Sequence, residues 1–279
     1  MQHDSEISFR PRGHCSPCFV CTKSGIAKLP DRSVETKEML FRRGHQLFLE
    51  QKFDSAAIVL ERSVAMDDRY APPLADLAEM YYVIGTREGG NKQPKYVEGF
   101  MKSRQYYVRA EALGSKESGV LERLCELSDL MEDDAMFVLY AKKNLAAYPY
   151  DRQYFNLGLA YFKAGDYLNA IASQKEAVEK FENSAYIGGF HRQLGRAYMK
   201  VDRDQTAERT FVDGVQKTDS RLKELRKAGG DYRSSNEYHR LVDDKIGMLT
   251  SLKSLHQTYR AMDKLEQVER ALKEANENK

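Results

Sequence analysis

Tyr154-Phe155-Asn156-Leu157-Gly158-Leu159-Ala160-Tyr161, followed by Gly165-Asp166-Tyr167 and Ala170, decides how this chain is read. The pattern returns as His191-x2-Leu194-Gly195-x2-Tyr198, then Ala207 and Phe211. Recurrence at a period of about 34 residues marks stacked helical hairpins, each of which buries its apolar face only against its neighbours.

Working outward, the same signature weakens but persists. Leu40, Gly44 and Leu47, with Phe53, Ala56, Leu60 and Ser63, form a first unit whose turn falls near Glu50 to Asp54. Leu74-x2-Leu77-Ala78-x2-Tyr81 opens a second, and Leu121-x2-Leu124-Cys125, running on to Phe137, Ala141 and Pro149, forms a third. After the units at Tyr154 and His191, a sixth reads Leu252-x2-Leu255-His256-x2-Tyr259, then Val268, Leu272 and Ala275. The pattern resembles the tetratricopeptide repeat (TPR) from about Val34 to the C-terminus. That resemblance implies an all-α, right-handed superhelical solenoid of stacked antiparallel helical hairpins.

The residue types fit this architecture. Gly or Ala in each first helix is expected where the paired helix crosses closest, answered by the Ala of the second helix. Tyr154, Tyr161 and Phe211 would fill the space alongside. Hydrophobic content of 42% and charge of 31% fit a thin, surface-rich solenoid better than a compact sphere. Cys125 takes the small-residue slot of its unit and is expected to be buried as a compact apolar residue.

Two departures from regularity are expected. Leu74 to Leu121 is longer than one repeat, and Gly85 to Lys95 (GTREGGNKQPK) reads as a polar loop inserted between two helices, the second running from Tyr96 to Ala112. Between the fifth and sixth units a charged helix continues from Thr218 to Lys227, Gly229-Gly230 breaks it, and Ser234 with Glu237 reads as a capping box for a helix reaching Tyr259. The lengthened hairpin thus spans about 218–262.

Residues 1–34 contain Pro11, Gly13, Pro17, Gly25 and Pro30 without helical period and read as a flexible leader before an array at 35–279. His14, Cys15, Cys18 and Cys21 in that leader are a weak metal candidate. Zinc sites join two separated ligand pairs, and no second pair follows; an iron–sulfur nest lacks a fourth Cys. The reading is no metal and no cofactor. Glu132-Asp133-Asp134 reads as a turn capping the next helix, because consecutive carboxylates do not converge on one ion.

Composition excludes several function classes. Forty-four Lys plus Arg against 42 Asp plus Glu leave +2, a balance that argues against a polyanion-binding field. No apolar run is long enough to span a membrane and no secretory signal core precedes the array, so cytoplasm is the expected location, with export the alternative if the true start lies elsewhere. No phosphate-binding glycine loop, zinc-protease helix motif or nucleophile elbow is present, and the chain is read as no enzyme.

The resemblance implies a concave recognition surface lined by first-helix residues. Carried onto this sequence, the expected groove comprises Phe41, His45, Phe48, Glu79 and Tyr82, then Glu122 and Glu126, then Phe155, Phe162 and Lys163, and finally Arg192, Arg196 and Lys200. Its first half is acidic and aromatic, its last half basic. That polarity fits an extended peptide lying in one direction, with an anionic segment at the basic end. The Lys and Asn set by which some relatives clamp a chaperone tail is missing, since Phe41, Arg42, His45 and Ala75 stand at the matching positions. The expected function is a scaffold or adaptor for a partner protein. The alternative is a nucleic-acid or regulatory module using the basic C-terminal repeats with Arg221, Lys223, Arg226, Lys227 and Arg233. Self-association is also expected wherever the N-terminal solenoid end leaves Leu40 and Leu47 uncovered.

Overall fold

A computed structural model describes residues 35–88, 93–94, 97–115 and 119–277. Its compact unit begins at Thr36, whose hydroxyl accepts from the Met39 amide and caps the first helix. Twelve helices follow among the described residues, with no strand. They pair as α1 (Lys37–Leu49) with α2 (Phe53–Met66), α3 (Pro72–Glu88) with α4 (Glu98–Ala112), and α5 (Val120–Leu130) with α6 (Asp134–Ala147). Next come α7 (Asp151–Lys163) with α8 (Tyr167–Lys180), α9 (Ile187–Lys200) with α10 (Asp204–Ala228), and α11 (Asn236–Thr258) with α12 (Met262–Glu277). Each helix packs on its hairpin partner, and the second helix of every hairpin but the last packs on the first helix of the next. The result is a solenoid of stacked antiparallel hairpins, with its core drawn out into successive clusters along the array.

Glycines of the first helices lie at close crossings, but the residue opposite is not the expected Ala. A Cβ on Gly44 would stand 2.6 Å from Leu60, one on Gly158 1.9 Å from Gln174, and one on Gly195 2.4 Å from Phe211. The gap left by each glycine is therefore filled by a large side chain from the second helix, while Ala56, Ala170 and Ala207 lie fully or almost fully buried nearby in sequence. Cys125 is buried at 1% exposure, and burial pushes its thiol up to about 12, so it packs as an inert residue.

The hairpins close by a common device. In five of them one residue sits at positive φ, namely Gln51, Glu132, Gly165, Asp202 and Arg260, and the next amide donates back into the first helix, as Lys52 does to the Leu47 carbonyl and Asp166 to that of Tyr161. Only one of the five is glycine, so four side chains stand in the left-handed region. Replacing Gln51 by Gly is expected to raise stability by about 0.5–1 kcal/mol, and Gly165→Ala to lower it by about 1 kcal/mol. Denaturant midpoints measure both, and equal midpoints for both variants would contradict the turn assignment.

The second hairpin departs from its expected boundaries. Helix α3 runs through Gly85 to Glu88, where the sequence reads as loop, and α4 starts at Glu98 instead of Tyr96. The reason is a backbone contact: a Cβ on Gly99 would lie 2.5 Å from the Gly85 nitrogen and 2.6 Å from its Cα. Two glycines let α3 and α4 meet backbone to backbone, which lengthens α3 past the normal turn.

The fifth and sixth hairpins are lengthened in α10 and α11, of 25 and 23 residues. The cap of α11 lies one residue later than expected. Ser235 accepts from the Tyr238 amide, whereas the Ser234 hydroxyl donates to Asp231 beside the 3-10 turn Tyr232–Ser234. Asp133 caps α6 by accepting from Met136, as its place in the acidic turn implies. At the N-terminal end Leu40 is buried and Leu47 half-buried; the exposed apolar side chains of that hairpin are Met39, Leu49, Ile58 and Met66.

Candidate protein-binding face

Successive first helices pack on one another at α1–α3, α7–α9 and α9–α11, while no pair of second helices makes comparable contact. Closer approach on one side than the other bends the array with its first helices on the inside. Between α3 and α5 the first helices part, and a cleft of about 540 Å³ opens there, flanked by Phe48, Ala75, Glu79 and Tyr107 on one side and by Val120, Glu122, Arg123 and Glu126 on the other.

Arg123 organises this cleft. Its guanidinium donates to both oxygens of Glu79, at 3.0 and 2.8 Å, and at 2.8 Å to Glu126, and it lies 4.1 Å from the centroid of the Tyr82 ring. The buried Tyr107 hydroxyl adds a 2.6 Å bond to Glu79, and that of Tyr82 donates to Glu126. Burial, then the bond to Glu126, pushes the Tyr82 phenol up to about 12; burial and Glu79 also raise that of Tyr107. Both phenols thus stay protonated donors at neutral pH.

The acids expected to make a bare negative half are therefore each engaged. Arg152 pairs with Glu122, and Lys163 with Asp129. His45, expected in the groove, has its Nδ1 2.7 Å from an Asp76 carboxyl oxygen, and Phe41 stands 5.8 Å from the His45 ring and edge-on to Tyr70 at 6.0 Å. Burial raises the Asp76 carboxyl above its ordinary value. Arg123, Tyr107, Asp76 and Arg152 were not singled out by the sequence pattern; the spacing of Arg123 three residues before Glu126 was the one local signal available.

The C-terminal residues separate into two groups. Phe155 packs against Tyr186 at 5.5 Å and Phe190 at 6.4 Å and is half-buried, so it is a packing residue more than an open anchor. Arg192 is drawn beneath α11: its Nε lies 3.2 Å from Asp244, and a Cβ on Gly247 would stand 2.8 Å from its Cδ. Asp244 is itself 3% exposed, and burial, opposed by Arg192 and Arg240, pushes its carboxyl up to about 6. The open basic positions are Arg196 and Lys200, both exposed. Arg196 covers the Phe162 ring at 4.6 Å, and Phe162 in turn meets Tyr167 edge-on at 5.5 Å.

The basic stretch of α10 is partly neutralised as well, since Arg221 donates to Glu237 at 2.7 Å and to Glu224 at 3.0 Å. His191 is a buried packing residue whose Nδ1 lies 3.0 Å from the Ile187 carbonyl. Among the described residues no group of three or more His, Cys, Asp or Glu side chains could hold a metal ion. His14, Cys15, Cys18 and Cys21 lie outside the described residues. No described helix is long and apolar enough to cross a membrane.

Stacked hairpins, small-residue crossings and an inner face of first helices define a solenoid with the tetratricopeptide-repeat fold. Solved structures agree. YrrB, described as a TPR protein with an unusual peptide-binding site, superposes with a TM-score of 0.54 at 11% identity, covering 70% of this chain and 92% of its own. A MamA protein gives 0.53 at 16% identity over 68% of this chain and 95% of its own, and the MamA of MSR-1 gives 0.50 at 18% over 66% and 97%. At these identities the likeness establishes the fold. No protein-family model matches the sequence, and no curated protein matches it.

Proposed function

We propose that this chain is a non-enzymatic scaffold that holds an extended segment of a partner protein along its first-helix face. The observation that carries the reading is the open 540 Å³ cleft on that face, where the first helices part between α3 and α5. YrrB, which shares the fold, is described as having a peptide-binding site, and this supports the same use of the face here. Exposed Arg196 and Lys200 lie one helical turn apart on α9 and would take an anionic part of the segment. Nucleic acid fits less well, because Arg221 of the basic set is already held by Glu224 of its own helix and by Glu237 of the neighbouring hairpin.

The test is recovery of partner protein by the tagged full chain, wild type against Arg196→Glu with Lys200→Glu. Both are exposed, so helicity is expected to be unchanged and partner recovery to fall by about tenfold or more. Arg192 is left alone, because reversing it would act on the fold. Undiminished recovery of the same partner by the variant would overturn the role of the basic end.

A further inference from the structure

The cleft between α3 and α5 is unbalanced in charge. Asp76, Glu79, Glu122 and Glu126 border it, against the guanidinium groups of Arg123 and Arg152. Arg123 is shared between two carboxylates, Glu79 and Glu126. Glu79, 32% exposed, already accepts from three donors, whereas Glu122 is paired with Arg152 and Glu126 with Arg123 at 35% and 42% exposure. The lining also carries the apolar side chains of Phe48, Ala75 and Val120.

An anionic guest would meet the surplus carboxylates first, and an apolar one would strip water from them without compensation. A long aliphatic stem ending in a cation satisfies both parts of the lining. Arg123 shows the chemistry within the chain itself, its guanidinium held by two carboxylates with a tyrosine ring beneath it. Resting on the reading of a partner segment on this face, we propose that the cleft receives a lysine or arginine side chain of that segment, with the stem on the apolar floor and the cation between Glu122 and Glu126. A basic residue here and an anionic stretch at Arg196 and Lys200 would fix the direction in which the segment lies.

The experiment is selection of a displayed random dodecapeptide library on the full-length protein, run on wild type, on Glu126→Gln, and on Glu122→Gln with Glu126→Gln. Wild type is expected to enrich peptides with Lys or Arg at one fixed position. Both Gln variants, isosteric at half-exposed sites and checked for wild-type circular dichroism, are expected to keep selecting peptides but to lose that enrichment. A selected peptide remade with norleucine at its basic position should bind wild type about tenfold more weakly and the double variant no differently. Enrichment without a basic position, or enrichment that persists in the double variant, overturns the cation site and leaves a peptide-binding face standing. Selection of no peptide by wild type overturns the peptide-binding reading itself and the cation site with it.

Discussion

Arg192→Glu is expected to destabilise the last two hairpins by about 3–5 kcal/mol, the range for breaking a buried ion pair. The argument rests on Asp244, which projects from α11 at 3% exposure with Arg192 of α9 as its nearest cation and Arg240 and Asp243 on its own helix also acting on it. Its Oδ2 and the Thr218 hydroxyl of α10 are buried without a hydrogen-bond partner in the protein. A second carboxylate there would remove the attraction that offsets burial and add repulsion. Lys200→Glu, on the same helix but exposed, is expected to change stability by less than about 0.5 kcal/mol. Thermal unfolding of both variants decides the matter, and equal midpoints would contradict the placement of Arg192 beneath α11.

The same carboxylate carries a pH signature. Its folded pKa of about 6 lies above the ordinary value of 3.8, so the folded chain binds the proton more tightly than the unfolded chain. Stability from this group therefore rises as pH falls from about 6 toward 4, by at most about 1.4 kcal/mol per pH unit. His191, whose pKa burial lowers, acts with the opposite sign below its ordinary value of 6.5. Subtracting the pH profile of Asp244→Asn from that of wild type isolates the carboxylate, and the difference should be confined to the pH 4–6 interval.

Gly99→Ala is expected to cost about 1–3 kcal/mol, as overpacking of a well-packed crossing does. The added methyl would meet the Gly85 nitrogen at 2.5 Å and the Tyr81 carbonyl at 2.8 Å, all of it backbone that cannot swing aside. The three atoms nearest a Cβ on Gly158 all belong to the side chain of Gln174 and none to backbone, so the cost of Gly158→Ala should be smaller. Chemical denaturation of the two variants gives the order. A larger loss at Gly158 would contradict the direct contact of α3 with α4.

What could be read from the sequence was local. Gly158, Gly195 and Cys125 announce crossings because the small residue sits in a fixed place within its own repeat, and Asp133 announces a cap three residues before the amide it accepts from. What lies between repeats was not legible. Gly85 reads as loop by composition, and only Gly99 on the facing helix shows that it is a contact point. Arg123 and Arg152 neutralise acids that look bare when each repeat is read alone, and Arg192 looks like a free groove cation until Asp244 of the next hairpin is placed beside it. The charge pattern of a solenoid face is set by which neighbours pair across repeats, and a repeat signature carries no record of that.

Binding of a partner along the first helices is tested most directly by placing a photo-crosslinking amino acid at Glu126 and Lys200 on that face, and at Leu139 and Leu168, which are 42% and 70% exposed on the second helices α6 and α8. With irradiation in the native lysate, a shared protein adduct from Glu126 and Lys200 and none from Leu139 or Leu168 is predicted. Adducts confined to Leu139 and Leu168 would put the partner on the opposite side and contradict the first-helix face as the binding surface.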